Sequence, residues 1–133
     1  MSKLVPDSAL ATICIWQEAR GESYEGKLAV AEVIRNRMNR NDSSDGTVAG
    51  TVLRPFQFSG FGAQDSNLIP SFKIDDTDPV VIDCLRAWNE SRNTNRANGA
   101  VLYYAKTIAP PGWVKNCVQV AEIGHHLFFV EKQ

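Results

Sequence analysis

The sequence contains few of the features that mark disulfide-rich, metal-binding or membrane proteins. Its 133 residues include only three cysteines, Cys14, Cys84 and Cys117, with no C-x-x-C spacing. An odd number of cysteines without paired spacing predicts neither a disulfide framework nor a zinc site. Buried free thiols are expected instead. No apolar run approaches the ~18 residues that span a bilayer, and Pro6 and Asp7 interrupt any signal-peptide core. We therefore expect no stable membrane insertion.

An excess of charge of one sign is also missing. Lys and Arg number 14 against 15 Asp and Glu, a formal net charge of −1. This balance gives no electrostatic reason to expect a nucleic-acid partner. Several basic residues follow one predicted helix and are interpreted as its solvated face without a function: Lys27, Arg35, Arg37 and Arg40.

Length and composition are those of one ordinary globular domain. The chain has a mass of 14.7 kDa, with 44% hydrophobic and 22% charged residues. A chain of this size can bury a core without a metal or disulfides. Residues 1–133 are therefore predicted to form a single domain, and we expect a monomer.

Helical periodicity dominates the first part of the chain, and β-forming residues concentrate near its end. Helices are predicted over residues 7–21, with Asp7 or Ser8 as the cap, and over 23–38, beginning at Ser23. A third helix is predicted from Thr77 or Asp78, followed by Pro79, to about residue 91. Strands or extended segments are predicted at 100–104, 118–123 and 126–130, although the last two are too short to exclude a final helix. The pattern indicates an α+β domain, mainly helical with a small β element.

The stretch between residues 47 and 78 has no long period and is broken by Pro55, Gly60, Gly62 and Pro70. Loops held on a rigid scaffold are where binding residues are often found. This stretch is predicted to line a ligand groove.

The most unusual local sequence is Glu18-Ala19-Arg20-Gly21-Glu22, at the junction of two apolar helices. The helix macrodipole and partial burial would both raise the pKa of Glu18, in the last turn of its helix. A raised pKa is what a general acid needs near neutral pH. The same spacing also occurs in surface turns with an ion pair, so physical reasoning alone leaves both interpretations open.

A family resemblance favours the catalytic interpretation. The run from Ile15 to Met38, IWQEARGESYEGKLAVAEVIRNRM, closely resembles the opening of the cell wall hydrolase family, which includes the catalytic domain of the spore cortex-lytic enzymes. The resemblance continues in order through Gln57-Phe58-Ser59, Asn98-Gly99-Ala100, Tyr103-Tyr104, Pro111-Gly112-Trp113 and Ile123 to Phe129. The sequence departs from the family pattern at Ala105-Lys106 and at His125.

The resemblance implies a lysozyme-like fold and cleavage of the β-1,4 bond between N-acetylmuramic acid and N-acetylglucosamine, without a cofactor. Glu18 is the implied proton donor, and Glu22 is the second candidate. Water attack would use a second carboxylate, for which Glu22, Asp65 and Glu122 are candidates. A lytic transglycosylase needs one glutamate only, and we favour that route.

Candidate substrate contacts are distributed along the chain. Gln57, Phe58 and Ser59 could offer an amide, an apolar wall and a hydroxyl to an acetamido sugar. Tyr104 and Trp113 offer rings with polar tips, although Phe58 and Trp113 could equally be core residues.

Three charged or ionisable residues complete the candidate set. Arg20 is a candidate substrate-binding residue and, with Glu22, is expected to set the environment of Glu18. His125 and His126 would point to opposite faces of a strand, so no shared metal ion is expected. His126 is included among the site residues, with a structural hydrogen bond to the loop carrying Glu18 as its favoured role.

The expected biological role is that of a phage or prophage endolysin, held in the host cytoplasm until a membrane pore releases it. A trimmed catalytic domain of a secreted enzyme is the alternative source. Two rival functions stay open: an inert peptidoglycan-binding module and a zinc amidase that cuts the peptide stem.

Overall fold

The structure, a computed structural model, describes residues 4–54, 58, 65–66 and 68–133. Its helices are α1 (Asp7–Ala19), α2 (Tyr24–Arg40), α3 (Val48–Val52), α4 (Leu68–Ser71) and α5 (Pro79–Glu90). Its strands are β1 (Leu102–Ala105), β2 (Cys117–Ile123) and β3 (His126–Glu131), with single 3-10 turns at Ser91–Asn93 and Gly112–Asn116. The predicted α+β class is confirmed.

Two long helices begin at the capping residues that the sequence indicated. The Ser23 hydroxyl accepts a hydrogen bond from the backbone N–H of Gly26, at 3.3 Å, at the start of α2. At the start of α5 the Asp78 carboxylate accepts from Val80 N–H at 2.8 Å, and Pro79 occupies the first turn. Both caps satisfy donors that the first helical turn leaves open.

The start of α1 differs from the prediction. The cap residue is Pro6, in an extended conformation, and no side chain caps this helix. The predicted cap by Asp7 or Ser8 is wrong, because both residues already lie inside the first turn, after the last extended residue. The helix ends at Ala19, so Glu18 lies in its last turn as predicted.

The C-terminal part of the chain forms a three-stranded antiparallel sheet in the order β1-β3-β2. The alternative of a final helix is therefore wrong. A tight turn at Gly124 joins β2 to β3, and this residue has a φ of +56°, which favours glycine. A Cβ at this position would also lie 2.8 Å from the Glu22 carboxylate, so the turn requires glycine for space as well.

The central helix α2 separates two parts of the core. On one side it packs with α1, α3 and α5 around Ile15, Ile34 and Trp88. On the other side its small residues meet the sheet, where Phe128 is fully buried. Tyr103 of β1 packs against both clusters, so this strand lies at the boundary between the helices and the sheet.

The basic residues of α2 do not form the predicted solvated face. Lys27 and Arg37 are only 5% and 4% exposed. Arg35 stacks on the Trp88 ring at 3.6 Å, and only Arg40 is open to solvent. The prediction failed because α2 is surrounded by other elements, and its long side chains reach aromatic rings and backbone carbonyls there.

Polar side chains of α2 bind the segment 94–101 and thereby determine where β1 begins. Glu32, which is 2% exposed, accepts hydrogen bonds from three donors at the start of this segment, at 2.5 to 3.0 Å. Asn36 and Arg37 donate to carbonyls at its end, at 2.9 and 2.6 Å. The segment that precedes Tyr103 is therefore attached to the same helix that follows Glu18 in the chain.

The three cysteines are free thiols, and two of them have the predicted burial. Cys14 and Cys84 are buried, whereas Cys117 is partly exposed. Burial raises the pKa of the Cys84 thiol to about 12, which makes it a poor nucleophile. In the part of the chain that the structure describes, no helix is both long and apolar enough to cross a membrane.

Candidate active site

Glu18 is partly buried and reaches from the end of α1 to the sheet. The Tyr103 hydroxyl donates a hydrogen bond to its Oε1. Burial raises the pKa of Glu18, and this effect outweighs the hydrogen bond from Tyr103 and the charge of Arg37, which both lower it. The negative charge of Asp65 raises the pKa further. The carboxyl therefore keeps its proton to a higher pH than an exposed glutamate does, as a general acid requires.

Tyr103 is the main site residue that sequence reasoning missed, because the neighbouring Tyr104 was preferred. Successive side chains of a strand point to opposite faces. Tyr103 faces the helices, with its ring 5.2 Å from that of His126 and 5.6 Å from that of Phe128. A strand of four residues shows too little alternation for the sequence to decide which tyrosine faces inward.

Tyr104 and Trp113 meet on the opposite face of the sheet. The Tyr104 ring stacks on Phe129 at 5.6 Å, and the Trp113 ring packs edge-on against Phe129 at 5.2 Å. The structure brings these two candidates together, but it does not bring them to the Tyr103 face where Glu18 lies. Their contact with substrate stays a prediction.

Phe58 lies in the core, and its two neighbours in the motif lie outside the described residues. Phe58 is 4% exposed, and the Arg37 guanidinium lies over its ring at 4.7 Å. The core alternative is therefore favoured for Phe58 over an open groove wall. Gln57 and Ser59 are not among the described residues, and their roles remain predictions.

Glu22 connects the α1–α2 junction to the β2–β3 turn. Its Oε1 accepts the backbone N–H of His125 at 2.8 Å and lies 3.1 Å from His126 Nδ1. Its Oε2 lies 2.6 Å from His125 Nδ1. Partial burial raises the pKa of Glu22, but the His125 hydrogen bonds and both histidine charges lower it more, so the net shift is downward. Such a carboxylate gives up its proton early, unlike the acid at Glu18.

The two histidines converge, contrary to the expectation that they point apart. His125 belongs to the turn and His126 begins β3, so the alternation of a strand does not separate them. Both rings approach the Glu22 carboxylate, and His126 makes the structural contact to the junction after Glu18 that was favoured for it. Among the residues described, no three His, Cys, Asp or Glu side chains are grouped as metal ligands.

Arg20 follows the end of α1 and contacts a ring of that helix, and its expected role beside Glu18 stays a prediction. Its guanidinium lies over the Trp16 ring at 4.4 Å, on the same helix. The cation that acts on the pKa of Glu18 is Arg37, from α2. Sequence reasoning missed Arg37 because a basic residue on a helix is usually solvated, and its only signal was its place in the family-like run.

The other candidate carboxylates differ in their surroundings. The negative charge of Asp65 acts on the pKa of Glu18. Glu122 is exposed on β2 and forms an ion pair with Lys106 at 2.7 Å. Glu18 is thus the candidate acid with both a buried environment and a raised pKa.

The family model described as Cell Wall Hydrolase matches residues 21–129. The chain belongs to the cell wall hydrolase family. The resemblance noted in the sequence is confirmed, and Glu18 lies just before the matched range.

Curated relatives of this cell wall hydrolase are spore cortex-lytic enzymes. The chain is 34% identical over 122 residues to that of Oceanobacillus iheyensis, covering 92% of this chain and 41% of the relative. It is 30% identical over 122 residues to that of Bacillus subtilis, covering 92% of this chain and 37% of the relative. The chain thus spans about two fifths of the length of these relatives.

Solved structures of catalytic domains share the fold. The catalytic domain of the germination-specific lytic transglycosylase SleB from Bacillus anthracis aligns with a TM-score of 0.72 at 25% identity, covering 93% of both chains. The catalytic domain of Bacillus cereus SleB aligns with a TM-score of 0.72 at 27% identity, covering 93% of this chain and 89% of that one. This cell wall hydrolase therefore has the mainly helical fold with a small sheet that was predicted.

Proposed function

We propose that this cell wall hydrolase cleaves the β-1,4 bond between N-acetylmuramic acid and N-acetylglucosamine in peptidoglycan as a lytic transglycosylase. Glu18 is the proton donor, and no cofactor takes part. The observation that carries the proposal is the partly buried Glu18 carboxyl with its raised pKa and its bond to Tyr103. The reaction type is supported by the likeness to the Bacillus anthracis domain, which is a lytic transglycosylase by its description.

In the first step the Glu18 carboxyl transfers its proton to the glycosidic oxygen. The bond from C1 of N-acetylmuramic acid to that oxygen breaks, and positive charge develops on the muramic acid ring. Tyr103 holds Oε1, so the carboxyl presents its proton through Oε2. The N-acetylglucosamine side leaves with a free 4-hydroxyl.

In the second step the Glu18 carboxylate accepts the proton of the muramic acid 6-hydroxyl. The freed oxygen attacks C1 and closes a 1,6-anhydro ring, so no water is consumed and Glu18 is protonated again. This sequence needs one carboxyl group. No second carboxylate is required, which agrees with a site in which the other candidates already have partners. Glu22 is bonded to two histidines, and Glu122 is paired with Lys106.

Mass spectrometry of muropeptides released from purified sacculi tests the reaction. We expect products that end in anhydro-muramic acid, one water lighter than the corresponding hydrolysed products. Free reducing ends would show attack by water instead. Released peptide stems, with activity lost on adding a chelator, would indicate an amidase, and binding without clearing would indicate an inert module.

We further propose that the protein acts in phage-induced lysis and stays in the host cytoplasm until a membrane pore forms. The proposal derives from the sequence interpretation, whereas the names of the relatives point to spore cortex. Expression in the cytoplasm of a bacterium should clear the culture only when a pore-forming membrane protein is co-expressed. Clearing without the pore, or purified protein that degrades spore cortex but not vegetative sacculi, would contradict it.

A further inference from the structure

Arg37 is a buried cation whose charge acts on the proposed catalytic acid. It is 4% exposed, its Nε donates to the carbonyl of Val101 at 2.6 Å, and its guanidinium lies 4.7 Å from the centre of the Phe58 ring. A charge at such a depth costs free energy unless nearby groups compensate it. An apolar side chain of similar length would fill the same space without that cost, so the charge itself requires an explanation.

Hydrogen bonds compensate this charge only in part. Nη1 of Arg37 is buried without a hydrogen-bond partner among the residues described. The remaining compensation is electrostatic. The charge of Arg37 interacts with the Tyr103 hydroxyl, with Asp42 just after α2, with the Cys14 thiol and with the Glu18 carboxyl. The groups that act on Glu18 are Tyr103 of β1 through its hydrogen bond, and Cys14 of α1, Arg37 of α2 and Asp65 before α4 through their charges.

Arg35, on the same helix, serves a different purpose. Its guanidinium stacks on Trp88, and it donates to the Ser91 hydroxyl and the Trp88 carbonyl, both at 2.5 Å. Partial burial lowers the pKa of Arg35 to about 10, and its other interaction is with Arg92. Arg35 therefore joins α2 to α5, whereas Arg37 bonds to Val101 before β1 and its charge acts on Glu18.

We propose that Arg37 is a positioning residue of the reaction, which stabilises the Glu18 carboxylate between its two proton transfers and holds the start of β1 so that Tyr103 reaches the acid. This inference rests on the proposed role of Glu18. After the first transfer the carboxylate must persist in a partly dry site until the 6-hydroxyl gives up its proton. A fixed buried charge favours that ionised state, because opposite charges attract more strongly where water is excluded.

The second part of the role is geometric. The Val101 carbonyl, which accepts from Arg37, lies two residues before Tyr103 in the chain. Residues two apart in an extended segment share one side. The hydrogen bond therefore orients the strand at the point where its tyrosine hydroxyl meets Glu18.

The pH dependence of cleavage distinguishes this role from a structural one. Initial rates on purified sacculi at low substrate concentration would be measured across pH for the wild type, Arg37→Met, Arg37→Lys and Arg35→Met. Without the charge, Glu18 keeps its proton to higher pH. In Arg37→Met the alkaline limb of the pH–rate profile, where activity falls as Glu18 ionises, should therefore move upward by about one pH unit. The maximal rate should fall roughly tenfold. Arg37→Lys keeps the charge, so its alkaline limb should stay at the wild-type pH, with a lower rate.

The matched control is Arg35→Met, which removes another partly buried cation from the same helix. It should unfold at a lower temperature than the wild type but keep the wild-type alkaline limb. An unmoved limb in Arg37→Met, or an equal shift in Arg35→Met, would overturn the proposal. If Arg37→Met does not fold, as judged by circular dichroism, Arg37→Lys still decides, because an upward shift of its limb contradicts a role for charge.

The two proposals fail in different ways. Cleavage that survives Glu18→Gln would remove the proposed function of Glu18, whatever Arg37 does. If Glu18→Gln is inactive and the alkaline limb of Arg37→Met does not move, Glu18 is still the acid. Only the role of Arg37 is then removed.

Discussion

Glu18→Gln is expected to reduce glycan cleavage by about 10²- to 10⁴-fold while the domain stays folded, because general acid catalysis contributes on that order. The amide still accepts the Tyr103 hydrogen bond, but it has no acidic proton for the leaving oxygen. Cleavage would be followed by the loss of turbidity of sacculi and by the release of anhydro ends. A rate near that of the wild type would show that another group donates the proton.

Although Glu18→Gln should lose activity, it should not lose stability. Burial raises the pKa of Glu18, so the folded state favours the protonated carboxyl. Its contribution to stability is fully present below the unfolded pKa of about 4.3 and is lost as pH rises through the folded pKa. Glutamine stays neutral, so at neutral pH the free energy of unfolding in urea should be equal to or above that of the wild type.

Glu122→Gln is the matched control for this experiment. It makes the same chemical change at an exposed carboxylate that is paired with Lys106. Exposed pairs contribute little to stability, so we expect both stability and cleavage near the wild-type values. Loss of activity in this variant would instead implicate Glu122 as a second catalytic carboxylate.

Glu22→Ala is expected to do the reverse of Glu18→Gln: it should lose about 3 kcal/mol of stability and retain cleavage. Hydrogen bonds to a charged group, and buried partners left without a bond, each contribute free energies of this order. The Glu22 side chain is 7% exposed and holds His125 and His126 at the β2–β3 turn. Thermal unfolding would measure the loss. Cleavage would be measured well below the unfolding temperature of the variant.

The acid side of the stability profile provides a second measurement. Burial lowers the pKa of His126, and the net pKa shift of Glu22 is also downward. Both groups contribute stability above their unfolded pKa values of about 6.5 and 4.3, and this stability is lost as pH falls through the folded values. Glu22→Ala should therefore lose less stability on acidification below about pH 4 than the wild type does.

The result for Glu22 also decides between its two candidate roles. Activity lost as completely as in Glu18→Gln, with an unchanged unfolding temperature, would make Glu22 a catalytic group. Activity retained in a destabilised domain would leave it a structural link. The geometry favours the second outcome, because the Glu22 carboxylate is bonded to the turn and not to Tyr103.

Local signals account for the parts of the fold that could be predicted. Ser23 and Asp78 cap helices through hydrogen bonds that span two or three residues, so the surrounding sequence is sufficient to recognise them. The cap of α1 was assigned to the wrong residue because Asp7 resembles a cap, and only the backbone shows that Pro6 is the last extended residue. The hairpin of β2 and β3 was ambiguous, because short apolar runs fit a strand or a buried helix equally.

The sequence by itself determined the family, the helical framework and the position of Glu18 in the last turn of its helix. Only the tertiary structure decided that Tyr103 rather than Tyr104 meets Glu18, across a separation of 85 residues, and that the charge of Arg37 acts on it. The reason is that a motif is read along the chain, whereas burial and charge act through space. A side chain's pKa therefore depends on which distant elements pack against it.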